Sequence, residues 1–266
     1  MPDLLAEIYR DRRRHLRAEI AAEPLPELQA RASRTVSGRR SLTRALARAN
    51  PPALIAEIKR ASPSAGQIAP EIDPGEVASS YQAAGADAIS VLTEPDRFLG
   101  RLDDLAAVRV RSELPILRKD FLSTDYQVVQ SAAYGADAIL AIVAGLGDRR
   151  LGGLLAEARK WSLDVLVEVH SAAELARALA LGADLVGINN RDLRSLRIDE
   201  SVTQDLIPLV PAGVRVVSES GFARPEQLER LHGLGVGAFL VGEALMRATD
   251  RAALVAQLKA ATGAPA

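Results

Sequence analysis

The sequence predicts an α/β fold: a single (β/α)8 TIM barrel over residues 51–266, preceded by an N-terminal helical extension, residues 1–50, packed on it. Three observations carry this reading. First, apolar, β-branched runs recur near residues 54–58, 88–92, 115–118, 138–143, 165–169, 185–188, 214–217 and 238–241, with helical patterns such as PGEVASSYQAAG, STDYQVVQSAAYG and SAAELARALALG between them. Strands alternating with helices in this way build a parallel sheet, and eight repeats close it. Second, the segment AGADAI (84–89) returns as YGADAI (134–139) and LGADLV (181–186), and more weakly as LGVGAF (234–239). The copies precede every second strand at a spacing of roughly 50 residues, a period of repeated supersecondary units. Third, 266 residues suit one such barrel. The alternative, an open doubly wound sheet, normally carries a GxGxxG turn after its first strand, and this chain has none.

The elements follow in order. Residues 3–20 have a helical pattern, with Leu4, Leu5, Ile8 and Leu16 on or near one stripe. The basic run Arg10–Arg17 interleaves with Glu7, Asp11 and Glu19 and lacks a stacking set of aromatics, so it reads as a solvated helix face rather than a nucleic-acid contact. Pro24 and Pro26 are expected to break this helix, and the polar stretch 27–40 reads as loop. Ser41 can cap a short helix from Leu42 to Ala49, which Pro51-Pro52 ends. In the repeat, the glycine reads as the residue that stops a helix before the next strand. The repeat therefore belongs to the bottom face of the barrel and carries no chemistry.

Composition narrows the function. A net charge of −1 gives no global basic field for nucleic acid. The absence of cysteine excludes disulfides, thiolate metal sites and cysteine nucleophiles, and no cluster of His, Asp and Glu has metal-ligand spacing. The first residues are charged and lack an apolar signal-peptide core. No apolar run approaches the roughly 20 residues that span a bilayer, so a cytoplasmic protein without a membrane partner is expected. The chain has 29 arginines but only four lysines, Lys59, Lys119, Lys160 and Lys259. Two of these follow the strand-like runs LIAEIK and LPILRK. An ammonium with a depressed pKa can release a proton near neutrality and a guanidinium cannot, so Lys59 and Lys119 read as positions that require lysine.

Active sites of such barrels form at the C-terminal ends of the strands. Taken in order, those ends supply Glu57, Lys59 and Ser62; Thr93, Glu94 and Phe98; Lys119, Asp120 and Phe121; Glu168 and His170; Asn189, Asn190, Arg191 and Asp192; Ser218, Glu219, Ser220 and Gly221; and Gly242 with Glu243. Glu57 and Lys59 share a strand face. Lys119 and Glu168 are expected across the mouth from one another, either as an acid–base pair or as a buried ion pair. The loops after the seventh and eighth strands read as a phosphate site, with Gly221 and Gly242 admitting an anion to backbone N–H groups, Ser220 adding a hydroxyl, and Glu243 giving its amide while its carboxylate turns away. Phe98 and Phe121 either stack on a flat ring or anchor their loops. Arg191 can fork onto a carboxylate, or pair with Asp192 or another acid. His170 reads as a capping or packing residue, and His15 and His232 as peripheral.

The segments LIAEIKRASPSAG (54–66), SVLTEPDRFLG (90–100), LPILRKDF (114–121), LVEVH (166–170), GINNRDL (187–193), VVSESG (216–221) and FLVGEALMR (239–247) resemble the indole-3-glycerol-phosphate synthase family of tryptophan biosynthesis. The resemblance covers each functional strand end in order and includes the helical extension. It implies a carbon–carbon carboxy-lyase that converts 1-(2-carboxyphenylamino)-1-deoxyribulose 5-phosphate to indole-3-glycerol phosphate, releasing carbon dioxide and water without a cofactor. Lys119 then looks like the general acid for ring closure and Glu168 like a base or relay in dehydration. Lys59 looks like a binder of the anionic substrate that can also donate a proton. Glu57, Asn189, Glu219 and Ser220 would orient these groups, Arg191 with Ser62 would hold the carboxylate, and Phe98 and Phe121 would pack on the aromatic ring. Ser220, Gly221, Gly242 and Glu243 would cradle the phosphate. The implied partner is one small phosphorylated substrate, handled by a monomer or weak homodimer. Two positions depart from the pattern, Arg101 and Ala244, where the family often has serine; neither touches the implied acid or base. A silent metabolite-sensing barrel is the competing reading, and it predicts loss of Lys119 or Glu168, both of which are present.

Overall fold

In a computed structural model, which describes residues 4–49, 52–193 and 195–260, each of the eight apolar runs forms a strand. These are β1 (Ala53–Ile58), β2 (Ala88–Leu92), β3 (Ile116–Lys119), β4 (Ala138–Ile142), β5 (Asp164–Val169), β6 (Leu185–Asn189), β7 (Arg215–Glu219) and β8 (Ala238–Val241). All pair in parallel, each with its sequence neighbours, and β1 closes the ring by pairing with β8 from Ala53↔Ala238 to Ala56↔Val241. The strands are apolar on both faces because one faces the barrel interior and the other the surrounding helices. A two-residue hairpin, Ala61–Ser62 against Gly66–Gln67, lies in the loop after β1.

The helices are α1 (Leu4–Ala22), α2 (Leu25–Thr35), α3 (Leu42–Arg48), α4 (Pro74–Ala83), α5 (Asp103–Arg111), α6 (Asp125–Ala133), α7 (Asp148–Lys160), α8 (Ala172–Ala180), α9 (Ser201–Leu206), α10 (Pro225–His232), α11 (Glu243–Arg247) and α12 (Arg251–Ala260). Ser41 caps α3 by accepting the Arg44 N–H, as expected. Of the Pro51-Pro52 pair assigned to end α3, Pro51 lies outside the described residues, as does the first residue of the 3–20 pattern.

Two expectations for the extension fail. Residues 27–40 are not a loop: α2 runs to Thr35 and lies along α6, with Thr35 Oγ1 donating to the Ala132 carbonyl at 2.9 Å. Pro24 does follow the end of α1, but it and Pro26 start the next helix. A proline in the first helical turn loses only an N–H that has no partner there, so it begins a helix as readily as it ends one. The basic run of α1 is not wholly solvated either, because Arg12 is buried with Leu5, Ile8, Tyr9 and Leu16.

The repeat does its work at the bottom of the barrel. Gly85, Gly135, Gly182 and Gly235 take φ values of 79° to 103°, the left-handed turn that ends a helix before the next strand. The aspartates that follow tie neighbouring strands together. Asp87 Oδ2 accepts the Leu54 N–H at 2.7 Å and meets Lys259 Nζ at 2.7 Å. Asp137 accepts the Ile116 N–H at 2.8 Å and the Arg40 N–H at 2.9 Å, and is ion-paired to Arg109.

Candidate active site

The C-terminal strand ends converge on a cavity of about 420 Å³, within the range of roughly 300–1,000 Å³ that small-molecule sites occupy. Its floor is charged. Glu57 at the end of β1 pairs with Lys59, Oε1 to Nζ 2.7 Å. Lys119, at the end of β3, reaches across the mouth and bridges two carboxylates, Glu219 Oε2 at 2.7 Å and Glu168 Oε2 at 3.1 Å. Lys119 and Glu168 come from separate strands and form the buried ion pair that was one of the two readings, with Glu219 as a third member.

Two glycines make room for this cluster. A side chain at Gly187 on β6 would overlap Glu219 Oε1, and one at Gly242, just past β8, would overlap Glu57 Oε1 and approach Lys59 Nζ to 3.0 Å. Neither glycine has a positive φ, so each is required for space rather than for backbone conformation.

Proton affinities in the cluster are pushed apart. Burial disfavours the Lys119 ammonium, but Glu219, Glu168 and Glu57 outweigh it and raise its pKa. The expectation of a depressed lysine pKa is therefore wrong for Lys119: three carboxylates brought together by the fold hold its proton in place. Burial raises the Glu219 carboxyl, the Lys119 ammonium pulls it back, and the Glu168 charge adds to the rise, leaving it at about 7. Glu168 is buried too, yet Lys119, His170 and a hydrogen bond from Asn189 lower its pKa overall. One cluster thus holds an ionised carboxylate beside a carboxyl that is half protonated near neutrality.

Loops supply the walls. Asn189 Oδ1 accepts Ser220 Oγ at 2.8 Å and the Arg191 N–H at 3.0 Å, joining the ends of β6 and β7. Ser220 has φ 70° and Gly221 φ 96°, so the chain turns sharply where these two residues line the cavity. Glu243 starts α11 beyond Gly242. Its carboxylate accepts Arg247 Nε at 3.2 Å and lies 3.7 Å from Arg191 Nη2. The acid that Arg191 meets is thus Glu243, and its Nη1 donates to the Leu196 carbonyl at 3.0 Å. Ser62, in the loop after β1, also lines the cavity, its Oγ accepting the Ala65 N–H at 3.2 Å. Phe98 and Phe121 lie side by side, 6.1 Å between ring centroids, and Leu140, Ile142 and Leu196 extend the apolar surface. Of the two departures, Arg101 donates its backbone N–H to Asp104 at 3.1 Å away from the cavity, whereas Ala244 lines it.

The contributors from α1 escaped the sequence reading, and the partners of several strand-end residues did too. Tyr9 of α1 packs edge-on against Phe121, centroids 5.8 Å apart, and Leu5 and Ile8 line the cavity. Their helical stripe was visible, but not that part of it faces the mouth. Arg12 Nε donates to Asp120 Oδ1 at 3.1 Å, while Asp120 Oδ2 accepts from Arg118 and Thr93, both at 2.8 Å. Asp120 thereby joins α1 to the end of β3, between Lys119 and Phe121. Buried Glu94 accepts the backbone N–H groups of Asp96, Arg97 and Phe98, which sets the loop carrying Phe98. His170 does sit at the entry to α8, yet its ring lies beside Glu168. His15, paired with Asp96, and His232, against the Val236 carbonyl, are peripheral as expected.

The fold resembles that of KGPDC from Streptococcus mutans, with a TM-score of 0.60 at 16% identity over 79% of this chain and 96% of that one. It also resembles thiamine phosphate pyrophosphorylase from Pyrococcus furiosus, with a TM-score of 0.61 at 17% identity over 79% and 95%. At that identity the likeness concerns the fold alone. The sequence relatives are closer. Indole-3-glycerol phosphate synthase of Azospirillum brasilense is 43% identical over 98% of this chain and 100% of its own length, and that of Parafrankia sp. 46% over 94% of each. That of Dehalococcoides mccartyi is 51% identical over 77% of this chain and 80% of its own. The family model for indole-3-glycerol phosphate synthase matches residues 5–258, from α1 through α12, and with relatives this similar along nearly its whole length the chain belongs to that family.

Proposed function

We propose that the barrel mouth carries the family's decarboxylating ring closure, with Lys119 as general acid and Glu168 as base. The observation that supports this best is the Lys119 ammonium bridging Glu168 and Glu219, one carboxyl held below and the other above its ordinary pKa. Carboxyls with separated proton affinities can take separate acid and base roles. As the aromatic carbon attacks the ketone, negative charge grows on the ketone oxygen. An alkoxide is a stronger base than any amine, so Lys119 gives up its proton there despite its raised pKa. Loss of the carboxylate as carbon dioxide restores aromaticity. Glu168, already ionised, then removes a carbon-bound proton while an acid, Lys59 or protonated Glu219, assists departure of the hydroxyl.

Binding follows from the walls. Phe98 and Phe121 offer a flat surface to the anthranilate ring, and Arg191 with Ser62 holds its carboxylate. Ser220, Gly221, Gly242 and Glu243 present N–H and hydroxyl donors to the phosphate, with the Glu243 carboxylate directed to Arg247. Glu57 and Asn189 hold Lys59 and Glu168 in place. All of these groups come from one chain, so a monomer or weak homodimer suffices. Among the described residues no helix is long and apolar enough to cross a membrane.

The test is direct. Purified protein given 1-(2-carboxyphenylamino)-1-deoxyribulose 5-phosphate, with no added cofactor, should develop indole absorbance and fluorescence, and Glu168→Gln should not. No turnover by the unaltered chain overturns the proposal.

A further inference from the structure

His170 stands two residues after Glu168, where β5 gives way to α8. Alternate residues of a strand share a face, so its ring is carried to the Glu168 side. There it has one anchored nitrogen and one idle one. Nδ1 lies 3.3 Å from Glu174 Oε2, and the same oxygen accepts the His170 backbone N–H at 2.8 Å. Nε2 is shielded from solvent, makes no hydrogen bond and lies 3.5 Å from Glu168 Oε1. Buried polar atoms are nearly always partnered, and an exception beside a catalytic carboxylate calls for a use. A helix-capping histidine would need only its contact with Glu174.

We propose that His170 is a positioning residue for Glu168: anchored by Glu174, its imidazolium faces the base and keeps that carboxylate ionised. The inference rests on the reading of Glu168 as base given above. The charges that act most on the ring are Glu168 from β5, Glu174 from α8 and Glu219 from β7, while the Lys119 ammonium from β3 sits on the other oxygen of Glu168. Burial works against the imidazolium, but these carboxylates outweigh it, and His170 is in turn one of the charges that lower Glu168. The arrangement is a carboxylate–imidazole–carboxylate row running from the cavity to the first turn of α8. A proton on the middle member hydrogen-bonds Glu174 through Nδ1 and favours a charged Glu168 through Nε2.

The test uses the full chain and His170→Asn, with single-turnover rates followed across pH. Removing the imidazolium should move the acid limb of the rate up by about one pH unit, lowering the rate about fivefold at the wild-type acid midpoint. At about pH 8, where Glu168 is ionised either way, rate and KM should stay within about twofold. Glu174→Gln should shift the limb in the same direction by less. A second measurement needs no change at His170. Coupling is reciprocal, so Glu168→Gln should lower the His170 pKa by about the same one unit, read from the imidazole carbon shifts by NMR. Superimposable acid limbs, a uniform loss at every pH, or a His170 titration unmoved by Glu168→Gln each overturn the proposal. Failure of the reaction itself would appear as no turnover by the unaltered chain, while the NMR titration would still report whether the two groups are coupled.

Discussion

At Lys119 the sequence marked a position but not the charges that surround it. The scarcity of lysine and its place at a strand end marked the position. Burial lowers its proton affinity and three carboxylates raise it, the foremost being Glu219, 100 residues away along the chain, and a single sequence does not show which carboxylates will meet an ammonium. Lys119→Arg keeps the charge and loses the transferable proton, so kcat should fall by at least about a hundredfold; near-normal turnover in a steady-state assay would refute the acid role. Glu219 gives a complementary prediction. Its folded pKa of about 7 exceeds the ordinary carboxyl value of 4.5, so between those pH values the folded chain binds a proton that the unfolded chain has released. Stability from this group is full below about pH 4.5 and is lost as pH rises through 7, by roughly 3 kcal/mol. Glu219→Gln should remove that part of the slope, so urea midpoints of the two proteins should diverge across this interval in favour of the variant. Parallel curves would show that Glu219 is ionised throughout.

Among the elements, the eight strands were readable because each is buried on two faces and so reads as a continuous apolar run. The extension was harder, since its helices pack with one face and start with residues that elsewhere end helices. Pro24 and Pro26 looked like breakers, and only their position relative to α2 shows that they initiate it. The basic face of α1 hid a second distinction, between arginines that face water and the one that does not. Arg12 and Asp120 are both buried, and removing one partner of such a pair leaves an incompletely compensated charge. Asp120 keeps Arg118 and Thr93, so Arg12→Ala should destabilise the fold by about 2–4 kcal/mol rather than the most that buried pairs show. His15→Ala breaks a hydrogen-bonded contact with Asp96 in which each side chain is about two-fifths exposed, and its effect should be under about 1 kcal/mol. Chemical denaturation of both variants checks the ranking; equal losses would mean that α1 is held by its apolar stripe alone.

On the scale of the whole molecule, the barrel separates stability at one end from chemistry at the other. The repeat lies entirely at the bottom, where Asp87 and Asp137 take backbone N–H groups of the neighbouring strands β1 and β3. Its legibility in the sequence follows from that role, because the same turn must be made before alternate strands and needs the same residues each time. The top face has no such repetition. Each strand end contributes a different group, so those residues show their purpose only once the ring is closed. Asp137→Ala tests this separation. It strips acceptors from the Ile116 and Arg40 N–H groups and leaves Arg109 without its carboxylate partner. Unpaired buried donors cost about 1–3 kcal/mol each, and the partly exposed Arg109 adds less, so a loss of about 2–4 kcal/mol is expected. Because Ile116 begins β3 while Lys119 ends it, the cost should appear in the unfolding midpoint and not in turnover: at about 25 °C kcat and KM should stay within about twofold. A large fall in kcat with an unchanged midpoint would show instead that strain at the bottom of β3 travels its length to the acid, and the two ends of the barrel could then no longer be treated as independent.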